Sequence, residues 1–113
     1  PKYGLLIEYH WCTGCHTCEL ACKQERNLPV GKWGIKVREE LFDTGGERLQ
    51  LEYIPIPTDL CNLCEHRTSQ GLQPSCVKHC QSQCLHYGSI DELSKYITAI
   101  EEAKYVLWFP RKA

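Results

Sequence analysis

Eight of the chain's nine cysteines fall into two quartets, Cys12-x2-Cys15-x2-Cys18-x3-Cys22 and Cys61-x2-Cys64-x11-Cys76-x3-Cys80. Cysteines at such short, regular spacing suit metal ligation better than bridging. Each iron of a 4Fe–4S cube takes one thiolate from outside, so eight thiolates match two cubes. A cube passes one electron at a time, so any hydride or oxygen chemistry must belong to something else. Two zinc ions in all-thiolate tetrahedral sites are the rival use of eight cysteines, but zinc sites seldom run four of them as x2, x2, x3. A disulfide scaffold is opposed by the odd count and by the lack of a recognisable secretion signal.

In bacterial runs of this kind the last cysteine of a quartet ligates the opposite cluster. By that analogy cluster one takes Cys12, Cys15, Cys18 and Cys80, and cluster two takes Cys61, Cys64, Cys76 and Cys22. Cys84 is left over. It reads as a small apolar residue beside a cluster; the alternative is a ligand in place of Cys80 or Cys76. Cys80 is preferred because Cys76-x3-Cys80 mirrors Cys18-x3-Cys22. His79 either donates to a cluster sulfur or lies at the surface. Lys23 either sets a cation beside a cluster or is an ordinary surface lysine. Trp11 and Trp108 read as core rather than as electron relays. The histidines at 10, 16, 66, 79 and 86 show no ligand spacing. There is no phosphate loop, dinucleotide fingerprint or nucleophile elbow, so no residue is assigned a catalytic role.

These motifs need elements to hold them. Residues 3–9 read as a strand leading into the first cysteine loop, where Gly14 can adopt a backbone conformation closed to other residues. Residues 17–26 lack Gly and Pro and predict a helix that puts Cys18 and Cys22 on one face, ended by Asn27-Leu28-Pro29. Residues 33–42 and 47–54 alternate about a turn at Asp43–Gly46 and predict a β-hairpin, with Pro55 and Pro57 ending it. Residues 65–75 read as a polar loop, followed by a short helix at 75–80 and a strand at 85–88. Ser89 or Asp91 caps a helix over 91–102 that presents Leu93, Tyr96, Ile97 and Ile100 on one face, and 105–109 is a final strand stopped by Pro110. The two halves echo each other weakly, as strand, cysteine run, helix, strand.

With 113 residues the chain is expected to be a single domain over 1–113 with a modest core, part of which metal–thiolate bonds replace. Net charge is −1 with no block of one sign, which argues against nucleic acid or a polybasic membrane contact. No apolar run nears the ~20 residues of a spanning helix. No export signal is recognisable, so a cytoplasmic location is expected, with export alongside a signal-bearing partner as the alternative.

The run from Cys12 to Gly31, with Gly14 two after the first cysteine and Asn27, Pro29 and Gly31 after the last, resembles the first cluster motif of a known family. These are the electron-transfer subunits of molybdenum or tungsten enzymes of the dimethyl sulfoxide reductase type. Pro55-Ile-Pro57 ahead of Cys61-x2-Cys64, then Cys76-Val-Lys-His-Cys80, resembles the second motif. The resemblance covers residues 3 to about 90. It implies an α+β, bacterial two-cluster ferredoxin-like fold, with a β-hairpin inserted between the cysteine motifs and a C-terminal helix and strand. It further implies two 4Fe–4S clusters and a non-catalytic subunit relaying electrons to or from a large Mo- or W-pterin subunit, and through it an outside donor or acceptor. The 65–75 loop or the C-terminal helix would make the contact. The departures are two quartets where four are common, Gln81 where Pro usually stands, and the longer second motif. A free, diffusible two-cluster ferredoxin is the alternative, disfavoured by the near-neutral charge; a zinc-dependent interaction module and a labile-cluster sensor stand behind it.

Overall fold

β1 (Tyr3–Ile7) is a short apolar run whose Leu5, Leu6 and Ile7 are each no more than 1% exposed. Burial on both faces is what such a run predicts of a central strand. The structure, a computed structural model that describes residues 3–46, 48–100 and 104–110, places it so. β1 lies between β4 (Leu85–Ser89) and β5 (Val106–Trp108) in an antiparallel three-stranded sheet of order β4-β1-β5, with Leu5 opposite both Tyr87 and Trp108. Alternation along β1 sends Leu5 and Ile7 to one face and Leu6 to the other. Leu5 and Ile7 join a core made with Cys18, Ile35, Val37, Leu63, Cys76, Cys84 and Leu85. The sheet therefore forms one wall of the core, and the cysteine-bearing segments form the other.

The first strand stops at Ile7 rather than running to residue 9. Tyr9–Trp11 instead form a 3-10 turn, in which the Trp11 and Cys12 amides donate to the Glu8 and Tyr9 carbonyls. That turn carries Trp11 outward, half exposed, so it is not the core residue expected; Trp108 does pack against the core. α1 (Thr17–Glu25) packs against α3 (Ser75–His79) and stops as the Asn-Leu-Pro signal predicts. Asn27 turns left-handed (φ 53), and the Leu28 amide returns to the Lys23 carbonyl at 3.0 Å.

β2 (Ile35–Asp43) and β3 (Leu49–Pro57) form the expected hairpin between the two cysteine motifs, but Pro55 and Pro57 lie inside β3 instead of ending it. The reason is register. The Thr58 amide donates to the Gly34 carbonyl at 2.9 Å, so the even positions 54, 56 and 58 face the partner strand with their bonding groups. The nitrogens of Pro55 and Pro57 point outward from a two-stranded ribbon, where no bond is lost. The alternation of Leu49 and Leu51 buries neither: both are exposed, with Leu41 and Phe42, because only the base of the hairpin reaches the core. Glu52 is buried instead, paired with Lys104 at 2.6 Å.

The segment expected to be a polar loop contains a helical turn, α2 (Glu65–Thr68). It is tied to α1 by His66 and Arg67, both facing Glu25, at 2.8 and 3.6 Å. α4 (Ile90–Ala99) opens on a capping box: the Ser89 hydroxyl accepts from the Glu92 amide, and the Glu92 carboxylate accepts from the Ser89 amide. Its Leu93 is buried, and its Tyr96 hydroxyl donates to the buried Glu8 carboxylate at 2.8 Å. The helix ends at Ala99 with Ile100 already extended (ψ 145), so Ile100 is not on its face as expected; residues 101–102 lie outside the described residues. β5 is shorter than expected, since the continuous strand covers only Val106–Trp108.

Candidate metal centre

Each cysteine loop is shaped by a left-handed residue at the same place. Gly14, two after Cys12, has φ 75; Leu63, two after Cys61, has φ 61. Glycine adopts this conformation freely, whereas a buried leucine does so only where its surroundings hold it. Gly14 announced the turn in the sequence. Leu63 did not, and only the spacing to Cys61 could have marked it. A side chain at Gly14 would also strike the Tyr53 ring, its Cβ within 2.7 Å, so the hairpin closes over the first loop.

Cys22, Cys61, Cys64 and Cys76 line a single cavity, although they come from α1, the second loop and α3. These are the four residues expected around cluster two. The cavity holds about 360 Å³ of empty space, its mouth included, and its walls are largely apolar, with Leu5, Ile35, Leu63 and Pro74 among them. Among the described residues no three His, Cys, Asp or Glu side chains stand close enough to hold a single ion. The four thiols share the cavity wall with these apolar side chains. Gly34 completes this cradle: a Cβ there would lie 2.4 Å from the Cys22 sulfur. Burial pushes the Cys61 thiol up to about 11 and the Cys76 thiol well above its ordinary value, and it also raises Cys22. A bound metal reverses that preference, because a coordinating thiol is deprotonated outright.

The other expected set, Cys12, Cys15, Cys18 and Cys80, gathers between the first loop and the end of α3. Charge on Cys80 acts on Cys12, Cys15 and Cys18 alike. Cys18 is buried, and burial pushes it up to about 12; Cys15 is exposed. Cys84 stands between Cys12 and Cys80, hydrogen-bonded to both and 3.6 Å from the Cys80 sulfur. Those bonds lower Cys80 to about 4 and Cys12 to about 7, and they raise Cys84. Cys84 itself is buried in the core beside them. Cys18 of one set and Cys76 of the other belong to the same buried cluster, so the two sets share a wall.

Of the two residues left between a role beside a cluster and a place at the surface, neither turns to a cysteine sulfur. Lys23 donates to the Pro29 and Lys32 carbonyls at 2.7 and 2.8 Å and lies over the Trp33 ring, fastening the turn after α1. His79 Nδ1 donates to the Ser75 carbonyl at 2.9 Å within its own helix. The cation that does line the second cavity is Arg26. The sequence reading did not single it out; its place one turn beyond Cys22 is the signal that could have marked it.

No family model matches the chain. It is 34% identical over 85 residues to the arsenate respiratory reductase iron–sulfur subunit of a Shewanella species, covering 75% of this chain and 32% of that protein. It is 32% identical over 89 residues to the B component of the anaerobic dimethyl sulfoxide reductase of Escherichia coli, covering 75% and 40%. The B component of the tetrathionate reductase of Salmonella typhimurium is 28% identical over 82 residues, covering 73% and 29%. The chain spans well under half the length of these relatives.

Proposed function

From its kinship with the iron–sulfur subunits of arsenate and dimethyl sulfoxide reductases, which it matches over three quarters of its length, we propose that this chain is an electron-relaying part of such a subunit. It would hold two 4Fe–4S clusters in a two-cluster ferredoxin-like fold, with no catalytic residue of its own. It would exchange single electrons with a large catalytic subunit carrying a Mo- or W-pterin. The observation that carries the reading is the convergence of Cys22 with Cys61, Cys64 and Cys76 on one apolar-walled cavity. Residues 39 or more apart in the chain meet there as the crossed ligand scheme requires.

In this reading Cys12, Cys15, Cys18 and Cys80 hold one cluster, and Cys22, Cys61, Cys64 and Cys76 the other. Bound clusters supply one-electron redox chemistry. The chain supplies the thiolates and the left-handed turns at Gly14 and Leu63 that aim them. It also supplies the Leu5, Ile35 and Leu63 wall that keeps water off the second site. Cys18 and Cys76, packed in one core, keep the two sites close enough for a short electron hop. The exposed Cys15 makes the first site the accessible one. No helix among the described residues is long and apolar enough to cross a membrane; a cytoplasmic location belongs to the proposal. The 65–75 segment, with Leu72 exposed beside the second motif, is proposed to contact the large subunit.

Anaerobic purification followed by iron, sulfide and zinc analysis tests this. The expected result is a brown protein with about eight iron and eight sulfide per chain, and paramagnetic signals on dithionite reduction. Colourless protein with stoichiometric zinc overturns the reading. Deleting residues 66–74 should weaken co-purification of a large partner, and unchanged association removes that segment from the proposed contact.

A further inference from the structure

The two thiol sets differ in the charge beside them. At the second, Arg26 lines the same cavity as Cys22, Cys61, Cys64 and Cys76. It is held there twice. Its backbone amide donates to the Cys22 carbonyl at 3.0 Å as α1 ends, and its guanidinium donates to the Leu60 carbonyl, immediately before Cys61. Arg26 therefore pins the helix carrying one thiol to the loop carrying two others. Between Cys12 and Cys18 the one basic residue is His16, which is cationic only when protonated. A guanidinium remains charged at every working pH.

We propose that Arg26 is a positioning residue that raises the reduction potential of the cluster held by Cys22, Cys61, Cys64 and Cys76, so that the two clusters of one chain are held at different potentials. The inference rests on the cluster reading above. Reduction adds one electron and no proton, so the cluster and its four thiolates become more negative by one charge. A fixed cation in the cavity wall stabilises that reduced state more than the oxidised one. For an assumed separation of roughly 12 Å between charge centres and an effective dielectric of about 20, the preference is about tenfold. Lys23, the nearer residue in sequence to Cys22, is not part of the cavity wall; its ammonium lies over the Trp33 ring and reaches the Pro29 and Lys32 carbonyls.

The test is an anaerobic redox titration of the whole cluster-loaded chain with dithionite, monitored by electron paramagnetic resonance, on wild type, R26Q and R26K. R26Q should shift one potential down by about 59 mV, the one-electron equivalent of a tenfold change, and leave the other in place. R26K, which keeps the charge but lacks the planar fork, should recover most of that shift. Should R26Q lose the cluster outright, R26M makes the same charge removal and the same prediction applies. Potentials that do not move in the neutral variants, that move equally at both clusters, or that fall as far in R26K overturn the inference and leave the cluster assignment standing. Wild-type protein with no iron–sulfur signal overturns both.

Discussion

Replacing Gly34 with alanine should cost the chain one cluster and spare the other. Gly34 is buried just ahead of β2, and its added Cβ would sit 2.4 Å from the Cys22 sulfur. Ordinary contact begins near 3.4 Å, so the two atoms must part by about 1 Å. The backbone cannot easily yield, because the Gly34 carbonyl accepts from the Thr58 amide and Ile35 pairs with Pro57. The thiol must move instead, by rotation away from its staggered position. Without metal, that crowding costs about 1–3 kcal/mol, the range for overpacked cores. With metal the consequence is larger, since ligand distances tolerate only about 0.2 Å. The variant should fold, with a far-ultraviolet spectrum like wild type. Its iron should fall from about eight to about four per chain, with one of two paramagnetic signals lost. C22S should give the same pattern. A G34A protein holding its full iron with both signals unchanged would show that Cys22 is not aimed at the cavity as described.

Three further outcomes are expected. C84A should keep both clusters while C80A loses the one held with Cys12, Cys15 and Cys18; iron analysis giving the reverse would make Cys84 the ligand. S89A removes the capping hydroxyl of α4 and should lower stability by about 1 kcal/mol, read as a fall of several degrees in the thermal midpoint. The Lys104 ammonium beside Glu52 holds that carboxyl below its ordinary value. Its folded value is depressed, so its contribution is present above pH about 4.5 and is lost as the pH falls through the folded value. E52Q should therefore shrink the loss of stability on acidification, and an unchanged acid limb in chemical denaturation would remove Glu52 from it.

The cysteine spacing alone announced two four-thiol sets, because ligand geometry leaves so few ways to arrange thiolates in short loops. The helix carrying Cys18 and Cys22 and the hairpin were equally legible, as was a cap at Ser89 or Asp91, of which the structure uses Ser89, since each rests on local periodicity or a local hydrogen bond. Gly14 was legible as a left-handed turn because glycine adopts one without cost. What was not legible depends on contacts between distant segments. Leu63 takes the same turn only because the core holds it, and Pro55 and Pro57 stay in β3 only because the register turns their nitrogens outward. Trp11, Leu49 and Leu51 carry core chemistry yet lie exposed, because burial depends on what else reaches them. The choice between Lys23 and Arg26 as the cavity cation was likewise tertiary. Three residues apart on one helix end, they differ in whether Pro29 and Lys32 or Leu60 stands within reach. Local spacing grouped the cysteines; the packing of distant segments chose their neighbours.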